Sequence, residues 1–508
     1  MQLQPSRHTV RAATTVLVAV FTVTMGLPVV ASPATAGQAD TTHSISECGP
    51  LDESGEYVLA ENITADGDCF DVTADDVTLD GDGHVVTGPG NGTAVAASGV
   101  EDLTVSNVTM AEWSTGASLS DVAYTRLNDT TVTNASVVGV SVENGSRTVT
   151  VSNSTVENGT TGVRVDTDTI DVAITGSQLS GQLGAAVHLR GEDVRVADNE
   201  IRETGGAGIE AVGSTDATIA GNDVRNTIGG ITVSEAGGVV VRANTLRDVR
   251  GTSILVDGTG EMVPAAVRPK PTARNSDVRL QPPMPSSVLG GGAGANSSDI
   301  RRVYVDVTLV PPSPAAPVQV ADNDVLDGNG IGILLNGTDG ATAEHNMVAR
   351  NRDGVRVAGG ERVTVADTLA VENRDDGISF AASARGVARN NTLHGNADDG
   401  LYVVSDGATV ASNEARANGD DGIDVHNSSV VAVRSNNVSE NGDDGLYFRT
   451  VTGGTVEANN ATRNDDDGID LRNSHALTVA NNTLCENLDD DIIQRQGSNA
   501  TVRENSHC

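Results

Sequence analysis

In the C-terminal half of this chain an aspartate-glycine pair followed by an aliphatic residue returns at a nearly constant interval. It occurs at Gly354-Val355, Gly377-Ile378, Gly400-Leu401, Gly422-Ile423, Gly445-Leu446 and Gly468-Ile469, each after an aspartate. Asp491-Ile492 takes the next place with the glycine lost, and the successive steps are 23, 23, 22, 23, 23 and 23 residues. A unit this short cannot enclose a core of its own. It must bury its apolar side against the units before and after it, which is the condition for a solenoid.

The same beat runs through the N-terminal half with weaker punctuation. Equivalent strand starts fall at Thr93-Ala94, Gly116-Ala117, Gly139-Val140, Gly162-Val163, Ala186-Val187, Gly208-Ile209, Gly230-Ile231 and Ser253-Ile254. About ten residues after each start comes a second alternating segment, such as Val149-Thr150-Val151 or Val194-Arg195-Val196. Short alternating strands separated by Gly, Asn and Asp, with no helical periodicity, predict a parallel β-helix. A leucine-rich repeat has a similar period, but its leucine-asparagine consensus is absent. From Glu47 to Gly88 the pattern reads as a cap and first coil, with a tight turn at Asp80-Gly81-Asp82-Gly83.

The beat fails between residues 257 and 319, where most of the prolines, Gly290-Gly291-Gly292 and five arginines collect. One strand, Val303 to Leu309, is expected inside this segment. It reads as a long insertion on the side of the solenoid, as a linker between two half-helices, or as a lid over a groove. The expected organisation is a signal peptide at 1–36, cap and coils at 37–256, the insertion at 257–319, and regular coils with a C-terminal cap at 320–508.

Lys+Arg number 32 against 69 Asp+Glu, a formal charge of −37, and Lys270 is the single lysine. A surface so acidic argues against nucleic acid and anionic membranes, which require a basic footprint. It suits molar salt, where charges are screened within about 3 Å. Arg7 and Arg11, the apolar run from Ala12 to about Val30, and Ala34-Thr35-Ala36 form an export signal with a cleavage site. A membrane anchor is the competing reading, weakened by Pro28 and Pro33. A secreted or cell-surface protein, monomeric and without a span in the mature chain, is expected.

Cysteine spacing agrees with export. Cys48 and Cys69 lie 21 residues apart, and Cys485 and Cys508 lie 23 apart. Residues one coil apart are stacked neighbours, so disulfides Cys48–Cys69 and Cys485–Cys508 are expected to close the terminal coils. Two halves of a zinc site are the alternative, with no Cys-x-x-Cys or histidine partner in support.

Asparagines recur at matched offsets: Asn351, Asn373, Asn396, Asn418, Asn441, Asn464 and Asn487 in one set, Asn413, Asn436, Asn459 and Asn482 in another. Stacked side chains of this kind hydrogen-bond along the stacking axis. With the Asp-Asp-Gly-Ile punctuation, these repeats resemble the right-handed parallel β-helix group that includes pectate lyases, polygalacturonases and NosD-type exported proteins. The entry Ile45-Ser46-Glu47-Cys48, with Gly55-Glu56-Tyr57-Val58-Leu59, Cys69-Phe70 and Val77-Thr78-Leu79-Asp80-Gly81, resembles the capping coil of exported β-helix proteins from haloarchaea. The resemblance covers nearly the whole mature chain. It implies an all-β, right-handed, single-stranded parallel β-helix, and leaves function open among lyases, hydrolases, epimerases and non-catalytic surface proteins.

Alternation then assigns the regular strands. Ile423, Val425, Leu446, Phe448, Ile469 and Leu471 should point inward. Asp424, His426, Tyr447, Arg449, Asp470 and Arg472, with Tyr402 one coil earlier, should form two outward columns able to hold an acidic sugar. Asp424 and Asp470, two coils or about 9.6 Å apart, approach the carboxylate spacing of inverting glycosidases and are the candidate catalytic pair. The equivalent face binds substrate in polygalacturonases and pectate lyases, but the His-Gly and Arg-x-Lys of those hydrolases have no match here. A solvated strand face is the plainer reading.

The Asp-Asp pairs stack as a carboxylate column in which neighbours repel by roughly 1 kcal/mol in water. Either salt screens them, or cations bridge the coils, which makes Asp420, Asp421, Asp443, Asp444, Asp466 and Asp467 candidate Ca²⁺ ligands. Asn62, Asn107, Asn144, Asn153, Asn158, Asn427, Asn437, Asn460 and Asn499 open glycosylation triplets. Copper lacks a Cys/Met/His cluster. The expected function is polysaccharide binding along the parallel-strand face, with cleavage by a lyase or hydrolase left open. The rival is a non-catalytic adhesion or structural solenoid.

Overall fold

The computed structural model describes residues 42–258 and 316–508. There the chain is an all-β, right-handed parallel solenoid with coils of about 23 residues, and no described helix is long and apolar enough to cross a membrane. Each coil contributes one strand to each of three parallel sheets, of 18, 19 and 18 strands. In one coil these are Ile423–His426 in the front sheet, Ser429–Arg434 in the second and Asn437–Ser439 in the third. The Asp-Gly turn then leads to Leu446–Arg449, which pairs in parallel with Ile423–His426.

The core is a stack of like on like. Ile423, Leu446 and Ile469 lie in register, as do Val425, Phe448 and Leu471, and all six are fully buried as alternation predicts. The N-terminal starts also fall in one column, Ala117, Val140, Val163, Val187, Ile209, Ile231 and Ile254. Only the first differs: Ala117 pairs with Val95, one residue beyond the position expected from Thr93-Ala94.

Three bends turn each coil, and the two that flank the third sheet follow one rule. Ser412, Ser435, Ala458 and Asn481, like Ala417, Glu440, Arg463 and Glu486, adopt φ between +53° and +60°. Each precedes a ladder asparagine. A single left-handed residue ends a strand at a cost of roughly 1–2 kcal/mol and leaves backbone groups without sheet partners. The asparagine side chain takes them up: Asn436 Nδ2 donates to Val410 O (3.1 Å) and Asn459 Oδ1 (2.9 Å), and its Oδ1 accepts from Asn413 N (2.9 Å). This second-to-third-sheet ladder begins well upstream, with Asn199, Asn222, Asn244, Asn323 and Asn346.

The ladders cross the irregular segment without a break. Val240–Arg242 pairs with Gln319–Ala321, and Ile254–Asp257 with Ile333–Asn336. The described halves are therefore one stack and not two helices on a linker. The expected strand Val303 to Leu309, the lid, most of the insertion and the signal peptide lie outside the described residues.

Disulfides join adjacent coils at both ends, Cys48–Cys69 with Cα atoms 4.5 Å apart and Cys485–Cys508 at 4.9 Å. The final coil is largely exposed, so reducing Cys485–Cys508 is expected to cost it about 3 kcal/mol. Hydrogen exchange under reductant should show Asn499–Arg503 losing protection while interior coils keep theirs. Equal loss along the stack would contradict this.

Candidate functional site

The front sheet presents its outward side chains in the two expected columns. Tyr402, Asp424, Tyr447 and Asp470 are consecutive partners in one. His426, Arg449, Arg472 and Arg495 follow one another in the other. The His426 ring meets Tyr402 and Tyr447 edge-on, each at 5.5 Å between centroids. The Arg472 guanidinium lies 4.9 Å from the centre of the Tyr447 ring. These rings are partly exposed, and Arg449 is exposed with no ion pair among the described residues. The result is an aromatic and cationic strip along the axis.

Beside the strip runs a buried acidic ladder. The aspartate before each glycine points into the stack: Asp399, Asp421, Asp444 and Asp467 are at most 5 % exposed. One carboxylate oxygen of each accepts the backbone N–H of its counterpart on the next coil, at 2.8–3.0 Å. The glycine is needed for space, since none of these glycines has a positive φ. A Cβ on Gly422 would fall 2.6 Å from Asn441 Nδ2, and one on Gly377 2.6 Å from Asn396 Nδ2.

Burial, reinforced by neighbouring carboxylates, pushes Asp376 up to about 8, Asp399 to about 9 and Asp421 to about 10. Asp444 is held at about 8, mainly by burial. Asp467, also raised by burial but facing Arg495, stops at about 6. Both ends of the ladder carry arginines. Asp353 pairs with Arg352 (2.8 Å) and Arg356 (3.5 Å), and Asp467 with Arg495 (2.8 Å). Between them the acids have no such partner.

The structure departs from an open, paired-carboxylate site. Asp470 is fully buried and closed by Arg472 Nε at 2.6 Å and Arg495 Nη1 at 3.6 Å. Asp424 keeps a 9 % exposed side chain beside His426, whose Nε2 lies 2.8 Å from its Oδ1. The atoms are close but not aligned for a hydrogen bond, and each lacks one. Burial drives the Asp424 carboxyl up, opposed by His426. Tyr447 stands between the two acids, so they do not flank one open gap. A uniformly solvated strand face is equally excluded, because Asp424 and Asp470 are buried.

Nor do the Asp-Asp pairs form one solvated column. Asp420, Asp443 and Asp466 lie outside, exposed or partly so, while Asp421, Asp444 and Asp467 are buried. Neighbouring oxygens of Asp420, Asp421 and Asp443, and of Asp443, Asp444 and Asp466, still approach within 4.8 Å. The spacing of the Asp-Asp pairs puts Asp376 and Asp399 in the carboxylate column but did not single them out as ligands, and it did not reach Arg495. The alternation that assigned Arg472 assigns Arg495 as well, but the lost glycine before Ile492 hid that coil. Of the nine glycosylation triplets named above, all except that of Asn460 begin on exposed asparagines.

With three parallel sheets, stacked asparagines and an aromatic strip, the chain is a β-helix protein. It belongs to the right-handed β-helix family, whose model matches residues 161–276, 313–447 and 405–507, together more than half of the chain. No curated protein matches it in sequence. Among solved structures it is similar to the periplasmic alginate epimerase AlgG, at 12% identity over 86% of this chain and 76% of that one, with a TM-score of 0.29. It is also similar to the tailspike protein of E. coli bacteriophage HK620 in complex with a pentasaccharide, at 9% identity over 91% and 72%, TM-score 0.32. A third is an Azotobacter vinelandii mannuronan C-5 epimerase A-module, at 12% identity over 92% and 91%, TM-score 0.25.

Proposed function

We propose that this is an exported protein that binds acidic polysaccharide along the front sheet. The observation that carries the reading is the strip Tyr402, His426, Tyr447 and Arg472, with Arg449 free beside it. Partly exposed aromatic faces stack on the apolar faces of sugar rings while arginines pair with carboxylates in a fixed geometry. A parallel column at about 4.8 Å spacing suits a chain ligand, since successive sugars meet successive coils. The two disulfides fit an oxidising compartment.

Binding is better supported than cleavage by a carboxylate pair, because Asp470 is sealed from the face. A non-catalytic solenoid remains the second reading, favoured by that same closure. Calorimetry against a panel of acidic polysaccharides at high salt is expected to find a binder. Tyr447→Ala should weaken it about tenfold or more, the range of an aromatic anchor. Following new reducing ends and unsaturated products in the same mixtures separates cleavage from binding. Affinity unchanged by Tyr447→Ala and Arg449→Ala would place the sugar elsewhere.

A further inference from the structure

One arrangement of three aspartates occurs twice, two coils apart, and only one copy is neutralised. In the first, Asp399 Oδ1 accepts the backbone N–H of Asp421 (3.0 Å), and Asp424 follows three residues later. In the second, Asp444 Oδ1 accepts the N–H of Asp467 (2.9 Å), and Asp470 follows. All six are at least nine-tenths buried. In the second copy Arg495 reaches Asp467 and Asp470, and Arg472 reaches Asp470. The register replaces Arg472 with His426 in the first copy and Arg495 with Arg449. His426 is a smaller group, and Arg449 is exposed and makes no ion pair among the described residues.

The first copy therefore holds three buried acids and no arginine ion pair, with only His426 beside Asp424. One oxygen from each of Asp399, Asp421 and Asp424 lies within 4.8 Å of the others. That is the spread of oxygens around an ion with bonds of about 2.3–2.6 Å. Backbone N–H groups occupy one oxygen of Asp399 and of Asp421 and leave the other available. Asp424 Oδ1 is buried without a hydrogen bond, and His426 Nε2, also without one, sits 2.8 Å from it. Such a separation is ordinary for adjacent ligands on one ion.

We propose that Asp399, Asp421 and Asp424, with His426 at the edge, bind one oxygen-preferring divalent cation, Ca²⁺ or Mn²⁺, at the place that arginines fill two coils later. The ion occupies the inner aspartates and the front-sheet acid, not the outer Asp420, Asp443 and Asp466. Three carboxylates suit either metal, and a directly bound imidazole favours Mn²⁺. The site does not depend on sugar binding.

The full chain is stripped with chelator and titrated calorimetrically with CaCl₂ and, separately, MnCl₂ at constant ionic strength. One ion per chain is expected, with Asp424→Asn weakening uptake about tenfold or more, since even supporting residues of metal sites cost 10–100-fold. His426→Arg installs the arginine of the second copy. It is expected to abolish uptake while raising the melting temperature in chelator, so a folded variant decides the matter even where Asp424→Asn misfolds. No stoichiometric uptake of either ion overturns the proposal, as does uptake undiminished in His426→Arg. Tyr447→Ala should keep the ion while losing polysaccharide, so failure of one reading is distinguishable from failure of the other.

Discussion

Asn436→Ala is expected to destabilise the solenoid by about 3–6 kcal/mol, the sum of several buried groups left unpaired at about 1–3 kcal/mol each. The side chain serves both neighbouring coils. Its amide donates to Val410 O and Asn459 Oδ1, while its oxygen accepts from the backbone N–H and the amide of Asn413. Only 1 % of the residue is exposed, so water cannot replace these bonds without opening the stack. Asn437→Ala, one residue on but facing solvent, removes a single exposed contact from Asn460 (2.8 Å) and should cost within about 0.5 kcal/mol. Because coils are coupled only to neighbours, damage at Asn436 should split thermal unfolding into two transitions. Exchange protection should be lost on both sides of that coil. A single, unshifted transition would show that the ladder follows the coils without holding them.

The fold was legible because its cause is periodic. The Asp-Gly-aliphatic step, the alternation of Ile423-Asp424-Val425 and the cysteine spacing each report one geometric fact, the length of a coil, and they agree. The Thr93-Ala94 start slipped by one residue because Ala94 takes the place of Gly116 at a step of 22 residues, one short of the usual 23. The break at residues 257–319 hides its character because proline, glycine and arginine carry no period. Asparagine offsets predicted the ladders. What they did not show is that each asparagine follows a left-handed residue, which makes the amide the repair of a bend.

The site was half legible. Alternation placed Tyr402, His426, Tyr447, Arg449 and Arg472 correctly on one face, since direction in a strand depends only on parity. Burial does not follow from parity. Asp424 and Asp470 point away from the core yet are buried, Asp424 against the acids of the adjacent Asp-Gly turns and Asp470 under Arg472 and Arg495. The glycines looked like turn residues, whereas they leave room for the amides of Asn396 and Asn441. Arg495 became visible, and Asp399 stood out from the other paired aspartates, only when coils were compared as copies, because what matters chemically is the place where two copies differ.

That difference gives the second large effect, an acid-stabilised apo protein. Asp376, Asp399, Asp421, Asp444 and Asp467 have folded-state values of about 8, 9, 10, 8 and 6, all above an unfolded carboxyl near 3.9. The folded chain thus binds more protons than the unfolded chain throughout the interval between. Its stability falls as pH rises from about 4 towards 8–10, the reverse of a salt-bridged carboxylate. At 1.36 kcal/mol per unit, a single unit at each of five carboxyls already comes to about 7 kcal/mol. That compares with about 5–15 kcal/mol for a whole domain, so protons or a bound cation on the ladder favour the folded chain. In chelator at constant ionic strength, the melting temperature should rise as the pH is lowered from about 9 to about 5. Ca²⁺ or Mn²⁺ at the alkaline end should recover much of the loss, because the ion supplies the charge that the protons supplied. A melting temperature that is flat or falls on acidification over this range would mean that the ladder is ionised and balanced by groups other than Arg352, Arg356, Arg472 and Arg495.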